Sequence, residues 1–274
     1  MAACATMRAT RNILALKITM PPYTPAHDSL AARNILITGA GDGIGRAAAL
    51  ACAEHGASVI LLGRTAAKLE KVYDEIESRG RPQAAMLPLD LARATVAHYE
   101  KIAQTIEKEF GRLDGLLHNA ADAGTLTPVE LYDPETWYRV LQVNLNAAWL
   151  LTRACLPLLR QSADASIVFT SADVGRKGRA YWGAYGVSCF GLEGLMQTLA
   201  AELATEGRIR VNSLDPGAVR TGMRSRLYPG EDTARLPRPE DIVPAYLYLL
   251  GPDSRGVNGQ ALNAQDFLTT NTSR

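Results

Sequence analysis

The chain has 274 residues, 47% apolar and 21% charged, with a formal net charge of +1. Such a chain can bury a large core, but it has no block of like charges and no long-range field toward nucleic acid or anionic lipid. No run approaches the ~18 continuous apolar residues of a membrane span, so neither nucleic acid nor membrane is an expected partner. Cys4, Cys52, Cys155 and Cys189 are scattered without C-x-x-C spacing. They read as reduced thiols of a cytoplasmic protein, not as a disulfide frame or a zinc site, and no metal is expected.

Residues 1–27 carry Arg8, Arg11 and Lys17 and no acid. A transit peptide shares that bias, but this stretch is short and poor in serine. It reads as a disordered leader, or as the trace of an upstream start codon with Met20 the true first residue. The folded domain is therefore set at 28–274.

From Arg33 short apolar runs alternate with helical stretches. Asn34–Ile37 reads as a strand and Ile44–His55 as an Ala-rich helix ending at Gly56. Ser58–Leu62 is a second strand, followed by a charged amphipathic helix over Ala66–Arg79. Further strands are expected at Ala84–Leu89, Leu113–His118, Ser166–Thr170 and Arg210–Leu214. Helices are expected at Val96–Phe110, Pro134–Leu159 and Ala184–Glu206. Continuous apolar strands alternating with helices imply a parallel sheet covered on both faces. Right-handed crossovers then give one doubly wound α/β domain, a Rossmann fold of about seven strands.

The first strand runs into Thr38-Gly39-Ala40-Gly41-Asp42-Gly43-Ile44-Gly45. Glycines permit a tight turn and close approach of a pyrophosphate, which the following helix N-terminus attracts with free N–H groups. The alternative is a plain strand-to-helix turn, but this one opens a complete α/β series. A site for NAD usually has an acid ~20 residues further on to hold the ribose. Here Gly63-Arg64-Thr65 stands instead, with no acid before Glu70. Arg64 suits a 2′-phosphate, so NADP is expected over NAD; otherwise it is an exposed loop arginine.

Over Arg33–Gln265 these residues resemble the short-chain dehydrogenase/reductase family. Thr38, Gly39, Gly43, Ile44 and Gly45 match its glycine turn. The stretch Gly175–Tyr185 resembles its bacterial YciK-like branch. The resemblance implies that Asp90 meets the adenine and that Asn119, in His118-Asn119-Ala120, contacts the adenosine side. It implies that Asn144, in Val143-Asn144-Leu145, holds a proton-relay water. Pro216, Gly217 and Thr221 then meet the nicotinamide carboxamide. Ala121 replaces the usual glycine after Asn119-Ala120.

The family's chemistry uses a tyrosine for the proton, a lysine four residues later and a serine from the preceding strand. Tyr185 matches the tyrosine, but Cys189 stands in the lysine position and Ala172 in the serine position. Ser171 and Thr170 are one and two places early, and strand alternation turns Ser171 away from the carbonyl. Asp173 and Lys177 are nearby substitutes with the wrong spacing. A free tyrosine, with pKa about 10, is ionised in roughly one molecule in a thousand at pH 7. Losing a preorganised donor costs about 10² to 10³ in rate. Two readings follow: an NADP-dependent oxidoreductase of a carbonyl/alcohol pair with weak turnover, or a non-catalytic NADP-binding or scaffold protein. Cys189 as a reactive thiol is a third, set against a cysteine packed as a small apolar residue.

Asp114 reads as a hydrogen-bonding residue at a strand start, and His55 and His98 as helix residues without metal partners. Tyr246–Leu250 reads as a packed helix face. Thr221–Pro239 is loop-like and placed to cover the substrate. A homodimer or homotetramer is expected through the two long helices, the second carrying Phe190, Leu192, Leu195, Met196 and Leu199.

Overall fold

In the computed structural model, which describes residues 23–268, the apolar runs form seven parallel strands. They are β1 Asn34–Thr38, β2 Ser58–Gly63, β3 Ala85–Pro88, β4 Gly115–His118, β5 Ala165–Thr170, β6 Ile209–Asp215 and β7 Ala261–Asn263. The sheet order is β3-β2-β1-β4-β5-β6-β7, the single doubly wound domain expected. β7 has only three residues, too few for an apolar run to mark.

Side chains alternate between the two faces. Ile35 and Ile37 of β1 enter a core beneath α1 (Gly43–Glu54), α2 (Ala66–Ser78) and α8 (Pro239–Leu250). Leu36 enters the opposite core, beneath α3 (Val96–Phe110), α5 (Ala147–Arg160) and α6 (Gly183–Leu203). Burial on both faces is what a continuous apolar strand requires. Asp114 takes the expected strand-start role: its Oδ2 accepts from Asn34 N–H at 2.9 Å, and its Oδ1 accepts from Ser162 Oγ at 2.6 Å.

The structure differs from the sequence reading at four places. The helix expected over Pro134–Leu159 is α4 (Pro134–Leu141), a π turn at Gln142–Asn146, and α5. The wide turn inserts an extra residue into the ladder, which periodicity does not register. The stretch Thr221–Pro239 is not all loop: Thr221 caps a short helix, α7 (Gly222–Leu227), by accepting from Arg224 N–H. Leu192, Met196 and Leu199 are spent on the core, leaving Phe190 the exposed member of the five apolar α6 residues. Finally, Tyr23 already packs on the domain: its hydroxyl donates to Asp253 at 2.8 Å and its ring meets Tyr248 edge-on at 5.1 Å. The packed chain thus includes residues 23–27 of the expected leader; residues 1–22 lie outside the described residues. Among the described residues no helix is long and apolar enough to cross a membrane.

Candidate active site

A cleft of about 760 Å³ runs across the C-terminal ends of β3 to β6, passing the point between β1 and β4 where strand order reverses. That is where a doubly wound sheet opens a crevice for a ligand. At one end stand Arg64 and Asp90, just beyond β2 and β3. Arg64 is exposed and has no hydrogen-bond or ion-pair partner among the described residues.

Gly39, Gly43, Ile44, Asn119, Pro216, Gly217 and Thr221 also border the cleft. Gly39 and Gly43 have φ of 69° and 50°, left-handed values that favour glycine. Asp42 accepts from Gly43 N–H at 2.8 Å and pairs with Lys68 at 2.5 Å. Thr38 and Gly45 lie behind the wall, not on it. Thr38 Oγ1 accepts from Asn119 N–H at 2.9 Å and Ala120 N–H at 3.0 Å, tying β1 to the loop after β4. A Cβ on Gly45 would stand 2.2 Å from Gly39 O and 2.5 Å from Asn119 Nδ2. Both residues therefore shape the turn from beneath.

Toward β5 and β6 the wall carries Ala172 and Tyr185. Ala172 presents a methyl where the resemblance calls for a hydroxyl. Ser171 borders the cleft, yet its Oγ is buried and without a partner. Cys189, one turn after Tyr185 on α6, is 3% exposed and off the cleft wall. With Tyr185, Asn144, His118 and Thr170 it borders a small cavity of about 20 Å³ beside the cleft, room for about one water. Gly175 packs against it, since a Cβ there would be 2.6 Å from Cys189 Cβ. Burial pushes the Cys189 thiol up to about 12, so the group is a packed neutral thiol and not a reactive thiolate.

Tyr185 is held well above the usual tyrosine value, first by burial, then by the neighbouring Cys189 and by Asp215. Asp215 closes β6, borders the cleft and is 8% exposed; burial raises its own pKa. Sequence reasoning missed it, although it directly precedes the singled-out Pro216-Gly217.

The nearby arginines are committed elsewhere. Arg176 donates to Glu193 at 3.1 Å, Asn263 at 2.7 Å and the Leu262 carbonyl at 2.9 Å. Asp173 is paired with Arg179, and Lys177 is exposed and off the wall. Asn144 also lies off the wall. Its Oδ1 accepts from Asp122 N–H at 2.7 Å, while Nδ2 donates to Asp122 O at 3.0 Å and Ser188 Oγ at 2.9 Å. Its side chain clasps the loop after β4 to α6.

The glycine turn, the crevice and the tyrosine helix coincide with a match of the short chain dehydrogenase family model to residues 33–232. The chain belongs to this family. It is 48% identical to the oxidoreductase YciK of Escherichia coli over 243 residues, covering 89% of this chain and 96% of that protein. A short chain dehydrogenase structure from Pseudomonas syringae is 58% identical, with a TM-score of 0.87 over 89% of this chain and 98% of that one. One from Shigella flexneri, complexed with NADP, is 48% identical with a TM-score of 0.84, covering 88% of this chain and 100% of that one.

Proposed function

We propose that the chain is an NADP-dependent oxidoreductase of a carbonyl/alcohol pair whose turnover is weak because the groups around Tyr185 are incomplete. The observation that carries this reading is Tyr185 on the cleft wall with the buried Cys189 thiol, and no cation, one turn behind it. Arg64, unpartnered among the described residues, fits a 2′-phosphate beside the glycine turn, and Gly45 lets α1 pack tightly beneath that turn. The NADP complex of the Shigella flexneri relative supports the same cofactor.

When bound, NADPH supplies the hydride for a carbonyl carbon. Tyr185 must then give its hydroxyl proton to the carbonyl oxygen. The tyrosinate left behind would sit in buried surroundings beside Asp215, so proton transfer is opposed where general acid catalysis needs a matched pKa. Ala172 offers the developing oxyanion no hydrogen bond. The same residues support a second reading, a protein that binds NADP and performs no chemistry.

Cofactor fluorescence titration followed by a carbonyl screen separates these. NADPH should bind more tightly than NADH; equal affinity, or tighter NADH binding, contradicts the cofactor assignment. Slow NADPH-dependent turnover supports the oxidoreductase, and binding with none selects the second reading. We also infer a homodimer or homotetramer through α4–α6, whose outer face carries Tyr138, Trp149, Val187 and Phe190. A monomeric mass by light scattering at micromolar concentration would rule that out. Free Cys52, Cys155 and Cys189 fit a reducing, cytoplasmic setting.

A further inference from the structure

The cleft beyond Tyr185 carries an aromatic side chain that the chemistry above does not use. Tyr181 has φ of 72°, and besides Ala32 it is the described non-glycine residue with a positive φ. A β-branched or bulky residue holds that conformation only where its surroundings enforce it. Here the loop after β4 does so, with Thr127 N–H donating to Tyr181 O at 3.2 Å and Thr127 bridging Trp182.

The strained step delivers the next residue, Trp182, to the cleft wall. Its ring lies 5.5 Å from that of Tyr185 and 6.4 Å from that of Tyr228, beyond α7. Ala172, Val174, Met223 and Leu227 add apolar wall around it.

Charge at this end is neutralised. Arg224 donates twice to Glu231, each at 2.6 Å, and stacks 3.9 Å from the Tyr228 ring centroid. Arg179 is paired with Asp173, and Arg139 with Asp122 at 2.8 Å. Arg226 lies toward the glycine turn, where its charge helps lower the Asp42 pKa. Among the described residues, Arg139, Arg179 and Arg224 on this wall are all paired with carboxylates, so an anionic substrate would meet no unpaired partner in them and would face Asp215.

We propose that Trp182 is the substrate platform and that the cleft takes an uncharged, planar aryl carbonyl compound, stacked on Trp182 with its carbonyl toward Tyr185. This rests on the oxidoreductase reading and names its substrate class. Offset aromatic stacking adds to what area burial alone contributes, so the preference over an acyclic ketone should be up to about tenfold.

The test is calorimetric binding with oxidised NADP present, so that no turnover is required. The probes are acetylnaphthalene, dodecanone of the same carbon count, and acetylnaphthoate as the charged counterpart. Acetylnaphthalene should bind tightest, Trp182→Leu should abolish its advantage over dodecanone, and Tyr228→Leu should reduce it. NADPH affinity reports an intact fold in each variant, and Tyr228→Leu decides should Trp182→Leu not fold. Equal or tighter binding of dodecanone or acetylnaphthoate, or an advantage unchanged in the folded variants, overturns the proposal. Failure of the wild type to bind NADPH would instead defeat the oxidoreductase reading.

Discussion

The two ends of the cleft are built from different materials. At the β1–β2 end the surface offered to a dinucleotide is built around backbone, the Gly39–Gly43 turn and the start of α1, with the guanidinium groups of Arg64 and Arg226 beside it. At the β5–β6 end the expected chemistry depends on functional groups at the tips of side chains. Ala172 and Cys189 remove two of these while β5 and α6 keep their places in the sheet and core. A backbone site lasts as long as the fold does; a side-chain site is lost with single substitutions that the fold tolerates. On the proposed reading the chain retains cofactor binding while its catalysis is weak.

Restoring the substrate end should give the largest effect. Ala172→Ser with Cys189→Lys should raise carbonyl reduction by NADPH at least about 10³-fold, reckoning about 10² to 10³ for the oxyanion donor alone and further gain from a cation beside Tyr185. Because both act on one transition state, the double variant should exceed the product of the single gains. Steady-state rates for wild type, both singles and the pair check this; no gain in the pair breaks the comparison at its catalytic half.

Damage to the other end should be next in size. Gly45→Ala drives a methyl into Gly39 O and Asn119, so it should cost about 1 to 3 kcal/mol of stability and weaken NADPH binding about 100-fold, or 2.8 kcal/mol. Gly178→Ala, with nothing within 4 Å of the added carbon, should change neither. Arg64→Gln should lower NADPH affinity about 10- to 100-fold, as expected for hydrogen bonds to a charged group, while leaving NADH unchanged. Calorimetric titrations read both variants. The smallest effect belongs to Ser171→Ala: its hydroxyl is buried and unpartnered, so stability should hold or rise slightly and residual turnover should not fall. A drop in rate would make Ser171 the missing donor.

Much of this was legible in the sequence because it is written in local patterns. Apolar runs marked six strands, the glycine turn marked the crevice, and the four-residue step from Tyr185 exposed Cys189. What was missed depends on contacts between distant segments. The glycine turn marks Thr38, but not that its hydroxyl also ties β1 to the loop after β4, 81 residues away in sequence. Asn144 stands with Tyr185 on the water-sized cavity, but the contacts of its side chain with Asp122 and Ser188 are not written in any local pattern. Asp215 acquires significance only where β6 is folded beside α6. Trp182 is turned to the cleft by a bridge to Thr127, which no periodicity reveals.

The claim that the tyrosine end, and not the cofactor end, limits this protein is tested most directly by single-turnover stopped-flow on the wild type. With NADPH prebound at saturation, a carbonyl substrate is mixed in and hydride transfer is followed by NADPH absorbance. This isolates the chemical step from cofactor binding and product release. Full cofactor occupancy with a chemical step well below about 1 per second is the expected result. Transfer in the ordinary enzymatic range of about 1 to 10³ per second would contradict it and show that another group performs the work assigned to the missing lysine and serine.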